Sequence, residues 1–396
     1  MAERDKYRAP GELTGLRSLA LGVGGIGLVV MAVGAVFDVE QALRSWLLGF
    51  IFWAGIGIGG IGLLILQYLT GGAWGVVIRR TAEAASRTLP VIILLFLPIA
   101  FGVTQLYEWT HLPPTDHVIE ARGWYMTVWG WTLRSAIYFA IFGVMAYLLN
   151  KWSANQDASK DHEEAAGWLG RATAFSGPTM VIFALTVTFA AVDWVMTLEP
   201  HWFSTIWGLL YIGGQGLSAF AFGICVLFLL AQTAPLNRVI TTHHFHDLGK
   251  FLFAFLMLWA YLSFSQFLII WSANIPEEIP HYLDRWDNSW KYLSIFIVVG
   301  HFIVPYALLL SRDLKKNAGK LRIIATWILF ARVADYYWHV APELHKGGLS
   351  ISLLDVALPL LLGGVFISLF VSQLSGRSLL PVNDPALEKA LHHHVH

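Results

Sequence analysis

Three ionisable residues share one face of an otherwise apolar segment in the C-terminal part of the chain. Arg332, Asp335 and His339 lie within residues 321–340 at spacings of i, i+3 and i+7, which place them on one side of a helix. An ionisable group inside hydrocarbon costs about 2.5–3.5 kcal/mol or more, so it normally faces a protein interior or a water path. The pattern predicts either a proton-linked or quinone-linked site or a buried Arg332–Asp335 ion pair that fixes helix packing.

Other apolar segments place further ionisable residues at comparable depths. Arg134 lies about 10 Å below the start of a segment near residue 127, because a helix rises about 1.5 Å per residue. Such groups could pass protons if arginines hold carboxylates charged, aspartates exchange protons and histidines relay them. The candidates for this proton path are Arg134, Asp193, His301, Arg332, Asp335 and His339.

Polar residues at segment ends and in loops give weaker signals. Glu108, Glu199, His201 and Asp355 add carboxylates and an imidazole on the same predicted side. A solvated loop position is the simpler interpretation of Glu108, Glu199 and His201. The Gln266 side chain could hydrogen-bond a quinone carbonyl or, as is commoner, a neighbouring helix.

No cofactor or metal is expected on this chain. Its single cysteine, Cys225, excludes an internal disulfide, a Cys-x-x-Cys haem attachment and a thiolate-held iron–sulfur cluster. His301 lies about 16 Å below the start of its segment, whereas His339 is close to the end of its own, so the two do not meet one haem iron. Two further histidine clusters are more typical of a surface position or a contact between subunits than of a metal site. They are His243, His244 and His246, and His392–His394 with His396.

Composition places the chain among polytopic membrane proteins. The 396 residues are 56% hydrophobic and 13% charged, and the mean hydropathy is +0.60. A formal net charge of zero and a pI of about 7.3 argue against a nucleic-acid partner. The composition therefore argues against a soluble fold.

Ten apolar segments are long enough to cross about 30 Å of hydrocarbon as helices. They lie near residues 16–36, 46–69, 89–107, 127–149, 174–193, 207–230, 249–271, 290–311, 321–340 and 353–375. We predict an all-α polytopic membrane protein, 1–396, with ten transmembrane helices. Its helices two to five (46–193) and six to nine (207–340) would form two four-helix bundles, because the string from Phe189 to Asp193 resembles that from Phe330 to Asp335.

Lysine and arginine residues are unevenly distributed between the two predicted membrane sides. Most of those that flank helix ends lie on the N-terminal side. The opposite side holds Arg44, Arg122, Arg285, Lys291 and Lys346. The positive-inside rule therefore predicts that both termini are cytoplasmic, and the charged first residues lack a signal-peptide pattern.

Glycines and a polar segment predict local structure. The glycines of the first two helices predict close helix packing. They are Gly22, Gly24, Gly25, Gly27, Gly55, Gly57, Gly59, Gly60 and Gly62. The polar connector 150–173 predicts a cytoplasmic hairpin.

Several long strings resemble the ActF family, which supplies one of the membrane subunits of alternative complex III. They are DWVMTLEPHWFSTIW at 193–207, DLGKFLFAFLMLWAY at 247–261, SQFLIIW at 265–271 and NIPEE at 274–278. The resemblance spans nearly the whole chain. The ActF family is similar in fold to the polysulfide reductase membrane-subunit (NrfD-like) family, which implies two four-helix bundles with two flanking helices.

The resemblance implies a bacterial inner-membrane subunit of a quinol:electron-acceptor oxidoreductase that reduces cytochrome c or a terminal oxidase. Implied partners are a second, NrfD-like membrane subunit, an iron–sulfur subunit, multihaem and monohaem cytochrome c subunits and other membrane subunits. Haem c and iron–sulfur clusters would lie in those partners, and menaquinol or another quinol would be the substrate. Because quinol binds mainly the NrfD-like partner in such complexes, the chain is expected to be non-catalytic alone and to carry a proton path.

Two alternatives stay open. A purely structural subunit would use its buried charges only to lock helix pairs together. An independent secondary transporter is compatible with a parallel repeat and buried charge, although transporters commonly break helices near the substrate and helices five, seven and nine have no central break in sequence.

Overall fold

A computed structural model describes Tyr7, Gly11 and residues 13–343, 345 and 347–391. The structure is 80% helical, and these residues contain no strand. The long helices are α1 (Leu13–Phe37), α2 (Val39–Thr70), α3 (Ala73–Ser86), α4 (Leu89–Phe101), α5 (Val128–Ala158), α6 (His162–Trp194), α7 (Trp207–Leu230), α8 (Thr242–Ala273), α9 (Trp290–Leu310), α10 (Ala318–Val340) and α11 (Leu353–Ser375). Lys346 and the predicted cluster of His392–His394 with His396 lie outside the described residues.

Short helices occupy the connections between the long ones. They are Val103–Leu106, Glu108–Thr110, His117–Arg122, Met196–Leu198, Leu236–Arg238, Pro280–Leu283, Arg312–Lys316 and Leu387–Leu391. The connections after α4, α6, α8 and α10 meet at one end of the molecule, which we call the Glu199 face. The connections after α2, α5, α7 and α9, with the segment after α11, lie at the other end, the Glu83 face.

The all-α polytopic class is confirmed. Within the described residues, eight helices are long and apolar enough to cross a membrane, or nine if α3 and α4 form one span bent by 41°. α10 fills the predicted ninth segment as a helix of 23 residues but is not among them, because Arg332, Asp335 and His339 lower its hydropathy. The count of ten spans stays a prediction.

Side-chain caps fix where many of these helices begin. Each capping oxygen accepts a hydrogen bond from a backbone N–H of the first turn, which would otherwise have no partner. The capping residues are Asp38 of α2, Thr127 of α5, Asp161 of α6, Asn317 of α10 and Ser352 of α11. Short polar residues between apolar segments therefore set the helix boundaries.

Two polar connectors are more helical than the sequence segments suggest. The apolar pattern leaves residues 71–88 between the second and third spans, but 73–86 form the buried helix α3. The arginines of α3 can be buried because they pair with carboxylates, as described below. The predicted hairpin at 150–173 is also mostly helix, since only residues 159–161 separate α5 from α6.

Helix α2 is the centre of the packing. Its apolar window is 89% buried, and it contacts α3, α4, α6, α7, α10 and α11. A Cβ atom at Gly59 would lie 2.9 Å from the Gln215 carbonyl oxygen of α7, and one at Gly60 would lie 2.9 Å from the Ala82 carbonyl oxygen of α3. The predicted packing role of these glycines is confirmed.

The glycines of α1 divide into two groups. Gly24 and Gly27 face α11, where added Cβ atoms would lie 2.9 Å or less from side chains. Gly22 and Gly25 face open space among the described residues, so the predicted packing role is wrong for them. α1 and α11 thus pair at the flank of α2, while the division of the other helices into two bundles stays a prediction.

Candidate functional site

Arg134 of α5 and Asp193 of α6 form a buried ion pair. The guanidinium donates from Nε to Asp193 Oδ2 at 2.8 Å and from Nη2 to Oδ1 at 3.0 Å. The Tyr138 hydroxyl also donates to Oδ2, at 2.7 Å. Asp193 is fully buried, and its three charge-assisted or neutral hydrogen bonds occupy both oxygens. This geometry locks α5 to α6.

A second ion pair lies within α10. Arg332 Nη1 donates to Asp335 Oδ2, and His339 Nε2 lies 3.9 Å from Asp335 Oδ1. All three side chains are at most 5% exposed. The guanidinium lies over the Tyr336 ring at 4.4 Å. The structure therefore brings together the three residues that the helical spacing predicts on one face.

Gly214 of α7 makes room for this second pair. A Cβ atom at Gly214 would lie 2.3 Å from Arg332 Nη2 and 2.7 Å from Cζ. A larger residue at this position would therefore require the guanidinium to move.

His301 lies in an irregular part of α9. Residues Ile297–Ile303 form a π-helical segment, a rare conformation that is often found at functional sites. The buried imidazole packs on Trp259 with ring centroids 4.0 Å apart, and Arg332 lies 6.0 Å from the same indole. Among the described residues, neither ring nitrogen of His301 has a hydrogen-bond partner.

A small cavity lies among α2, α5, α6 and α7. Trp194, next to Asp193, lines it together with Gly55 of α2 and with Tyr211 and Gln215 of α7. Its volume is about 20 Å³, which is room for one water molecule. The Tyr211 hydroxyl and Gln215 Oε1 are buried without a hydrogen-bond partner in the described part of the chain. The ring of Tyr211 lies 6.4 Å from that of His339, so the cavity reaches toward the second pair.

A much larger pocket opens beside α10. It has a volume of about 610 Å³ and lies between α8, α9, α10 and the α8–α9 connection. Most of its wall is apolar or aromatic. The polar and aromatic residues that matter here are Trp259, Gln266, Arg285, Asp335, Trp338 and His339. Asp335 and His339 are thus accessible from a space that can hold water or an amphiphilic molecule.

Sequence reasoning missed a third buried cluster, at the Glu199 face. His281 Nδ1 lies 2.8 Å from Glu199 Oε2, and Arg285 Nη2 donates to Glu199 Oε1 at 2.5 Å. Arg285 also donates to the carbonyls of His281 at 2.8 Å and of Trp338 at 3.2 Å. The interpretation of Glu199 as a solvated loop residue is therefore wrong, because its carboxylate holds two connections together. The i, i+4 spacing of His281 and Arg285 was the available signal.

The charges of this third cluster follow from its pKa shifts. Burial alone would raise the pKa of Glu199, but attraction by Arg285 and His281 dominates and lowers it to about 2. Burial and repulsion by Arg285 outweigh the attraction of Glu199 and lower the pKa of His281 to about 4. At neutral pH the carboxylate is therefore charged and the imidazole is neutral, with Nδ1–H donating to Glu199.

A fourth cluster at the Glu83 face was also missed. Glu83 of α3 accepts from Arg80 at 2.7 Å and from Arg377 at 3.1 Å. Arg80 also pairs with Asp157, and Arg79 with Asp384, both at 2.6 Å. Arg79 and Arg80 are at most 3% exposed. The cluster fastens the segment after α11 onto α3 and α5.

The remaining predicted residues have ordinary structural partners. Asp355 caps α11 and accepts from Ser45 at 2.6 Å and Gln41 at 2.9 Å. Gln266 bonds to Ser204 and Tyr282, at 2.8 and 3.1 Å, as expected for contacts between elements.

Two of the weaker candidates lie at the surface of the Glu199 face. Glu108 is exposed in a short helix. His201 Nε2 lies 3.1 Å from Asp116 Oδ2, and with His117 these residues place ligand atoms within 4.8 Å of one another. Asp116 already accepts from the Val118 N–H as a helix cap, and both imidazoles are exposed.

No known protein family and no curated protein matches this chain. The resemblance to the ActF family stays a prediction made from the strings at 193–207, 247–261, 265–271 and 274–278. Of these, 193–207 supplies Asp193 and Glu199, while 265–271 supplies Gln266 at the large pocket.

Proposed function

We propose that this chain is an integral membrane subunit of a bacterial quinol-oxidising electron-transfer complex of the alternative complex III type, and that its interior carries protons. The observation that supports the proton path is Asp335, a buried carboxylate that lies 3.9 Å from His339 and lines the large pocket. Buried ionisable groups beside a water-accessible space are what a membrane proton relay requires.

In this proposal the redox chemistry belongs to partner subunits. Haem c and iron–sulfur clusters would be bound by cytochrome c and iron–sulfur subunits, and quinol would bind mainly the NrfD-like partner. The chain would lie in the inner membrane with both termini in the cytoplasm and the Glu199 face outside. This orientation follows the positive-inside rule, which most of the exposed lysines and arginines still support after the buried Arg79 and Arg80 are set aside.

The six predicted residues have different roles in this proposal. Arg134 and Asp193 hold α5 to α6, because every oxygen of Asp193 already accepts a strong hydrogen bond. Asp335 and His339 exchange protons at the pocket, and Arg332 keeps the Asp335 carboxylate charged until a proton arrives. His301, with two nitrogens free to bond water, extends the path along α9.

The test is Asp335→Asn in the purified native complex, reconstituted in vesicles with quinol as the electron donor. The amide keeps the shape of the carboxylate but does not exchange protons. We expect quinol oxidation to continue while the number of protons moved per electron falls. Unchanged proton movement in an intact complex would contradict the relay, and loss of assembly would favour a structural subunit. Asp313→Asn, an exposed carboxylate at the Glu83 face, is the matched control.

The large pocket supports an independent transporter as a second candidate. A volume of about 610 Å³ would hold a small substrate, and α3 and α4, if they form one span bent by 41°, would be a broken helix of the kind that transporters use. Gentle detergent purification from the native membrane, with mass spectrometry of the subunits and a reduced-minus-oxidised spectrum, separates the two. Co-purification with multihaem cytochrome c and an iron–sulfur protein supports the complex, whereas a colourless chain alone supports the transporter.

A further inference from the structure

His281 and Glu199 connect the interior of the molecule to its Glu199 face. His281 is 2% exposed, and Glu199 lies in the connection between α6 and α7, with its side chain 12% exposed. One imidazole nitrogen, Nδ1, is bonded to Glu199. The other, Nε2, is buried and has no hydrogen-bond partner in the part of the chain that the structure describes. The ring thus has one bonded and one free nitrogen, as a proton relay needs.

Neighbouring side chains fix the plane of the His281 ring. Trp202 stacks on it with ring centroids 3.9 Å apart and planes at 10°. Arg285 donates to the Glu199 carboxylate and also lies 3.9 Å from Glu343. The unbonded Nε2 therefore belongs to a ring whose plane is fixed.

Trp338 links this cluster to the proton-exchanging pair. Its ring lies 5.7 Å from that of His281 and 5.0 Å from that of His339. Trp338, His339 and Arg285 all line the large pocket, so its wall runs from Asp335 to the edge of the Glu199 cluster. His339 Nδ1 is itself buried without a partner among the described residues.

We propose that His281 is the proton relay between this pocket and Glu199, and that Glu199 is the port through which protons enter or leave at the Glu199 face. The inference rests on the proposed function and names the outer end of the same path. Asp335 gives its proton to His339 Nε2, and His339 Nδ1 releases one to water in the pocket. His281 Nε2 accepts a proton from that water while Nδ1–H passes to Glu199, which releases it to bulk solvent. A 180° flip of each imidazole about its Cβ–Cγ bond then restores the starting tautomer.

The resting charges suit this sequence. His281 is neutral at physiological pH and can accept a proton at Nε2. Glu199 has the lower pKa of the two, so proton transfer to it from the imidazole is uphill and is completed by release to bulk solvent. Arg332, Arg285, Glu343 and Asp335 are the other charged groups that face this route.

His281→Asn separates a relay role from a structural one. The asparagine amide donates to Glu199 in place of Nδ1–H, but asparagine has no atom at the position of Nε2. In the reconstituted complex we expect quinol oxidation to stay within about twofold of the wild type, while protons moved per electron fall toward the Asp335→Asn value. Glu199→Gln, which keeps a hydrogen-bond acceptor for Arg285, should give the same result. His111→Asn, an exposed histidine bonded to the Thr104 carbonyl on the same face, is the control.

The outcomes distinguish this inference from the proposed function. If Asp335→Asn loses proton movement and both His281→Asn and Glu199→Gln retain it, the proposed path stands and its port lies elsewhere. If Asp335→Asn also retains it, the proposed function itself is wrong. If His281→Asn fails to assemble, Glu199→Gln alone decides, because it leaves the imidazole and its stacking on Trp202 in place.

Discussion

Asp193 and Asp335 lie near the same ends of parallel helices, but Asp193 pairs with an arginine of the neighbouring helix and Asp335 with one of its own. Asp193 accepts two hydrogen bonds from Arg134 and one from Tyr138 of α5. Asp335 pairs with Arg332 of α10 and lines the large pocket. One pair therefore joins two helices, and the other leaves its carboxylate beside accessible space.

The first prediction is that Asp193→Asn destabilises the protein. Removing the Asp193 charge leaves Arg134 in a largely buried site and removes the ion pair that joins α5 to α6. We expect a loss of about 2–3 kcal/mol of unfolding free energy, below the usual range for a broken buried pair because Arg134 is 20% exposed. Unfolding in mixed detergent micelles, followed by tryptophan fluorescence, measures the difference.

An unchanged unfolding free energy in Asp193→Asn would show that this ion pair does not hold α5 to α6. Tyr138→Phe, which removes one of the three hydrogen bonds to Asp193, should cost about 1 kcal/mol.

The second prediction concerns the space beside Arg332. Gly214→Ala places a Cβ atom 2.3 Å from the guanidinium, so Arg332 must move and its pairing with Asp335 must weaken. Gly213→Ala is the matched control in the same turn of α7, since its Cβ would meet Leu262 at 3.5 Å, an ordinary contact. We expect proton movement to fall in Gly214→Ala and to be unchanged in Gly213→Ala. Similar values for the two would show that Arg332 tolerates the shift.

The sequence predicts the elements and the pairing within a helix, but not the pairing between elements. Arg332 and Asp335 are three residues apart in one helix, so their contact follows from helical periodicity. Arg134 and Asp193 are predicted at a common depth, and the structure adds that α5 and α6 are adjacent. The depth of a residue can be estimated from about 1.5 Å per residue, whereas its neighbour on another helix cannot.

The two missed clusters have the same physical cause. Glu199 meets His281 and Arg285 across more than 80 residues, and Glu83 meets Arg377 across 294. In sequence each charge lies near a helix end, where solvation is the simplest expectation. Only the tertiary contacts show that these charges are paired and buried.

The third prediction is that the segment after α11 depends on the Glu83 face. Asp384→Asn removes the partner of Arg79, where both side chains are 1% exposed. Because a buried guanidinium without a carboxylate is strongly unfavourable, we expect the segment 377–391 to detach from α3. Limited proteolysis should then cut this segment faster than in the wild type. Asp287→Asn, an exposed carboxylate, is the control, and equal cleavage of all three proteins would contradict the prediction.

The fourth prediction is an acid-dependent loss of stability at the Glu199 face, in two windows. The pKa of His281 is lowered from 6.5 to about 4 in the folded protein, so the unfolded chain binds its proton first and stability falls as the pH drops from about 6.5 to 4. The pKa of Glu199 is lowered from 4.5 to about 2, so its contribution is full above about 4.5 and is lost as the pH falls toward 2. Unfolding midpoints measured in detergent between pH 8 and pH 2 report both windows. His281→Asn should remove the slope between pH 6.5 and 4 and leave the lower window, whereas an unchanged upper slope would assign it to another group and show that His281 binds its proton equally in the folded and unfolded chain.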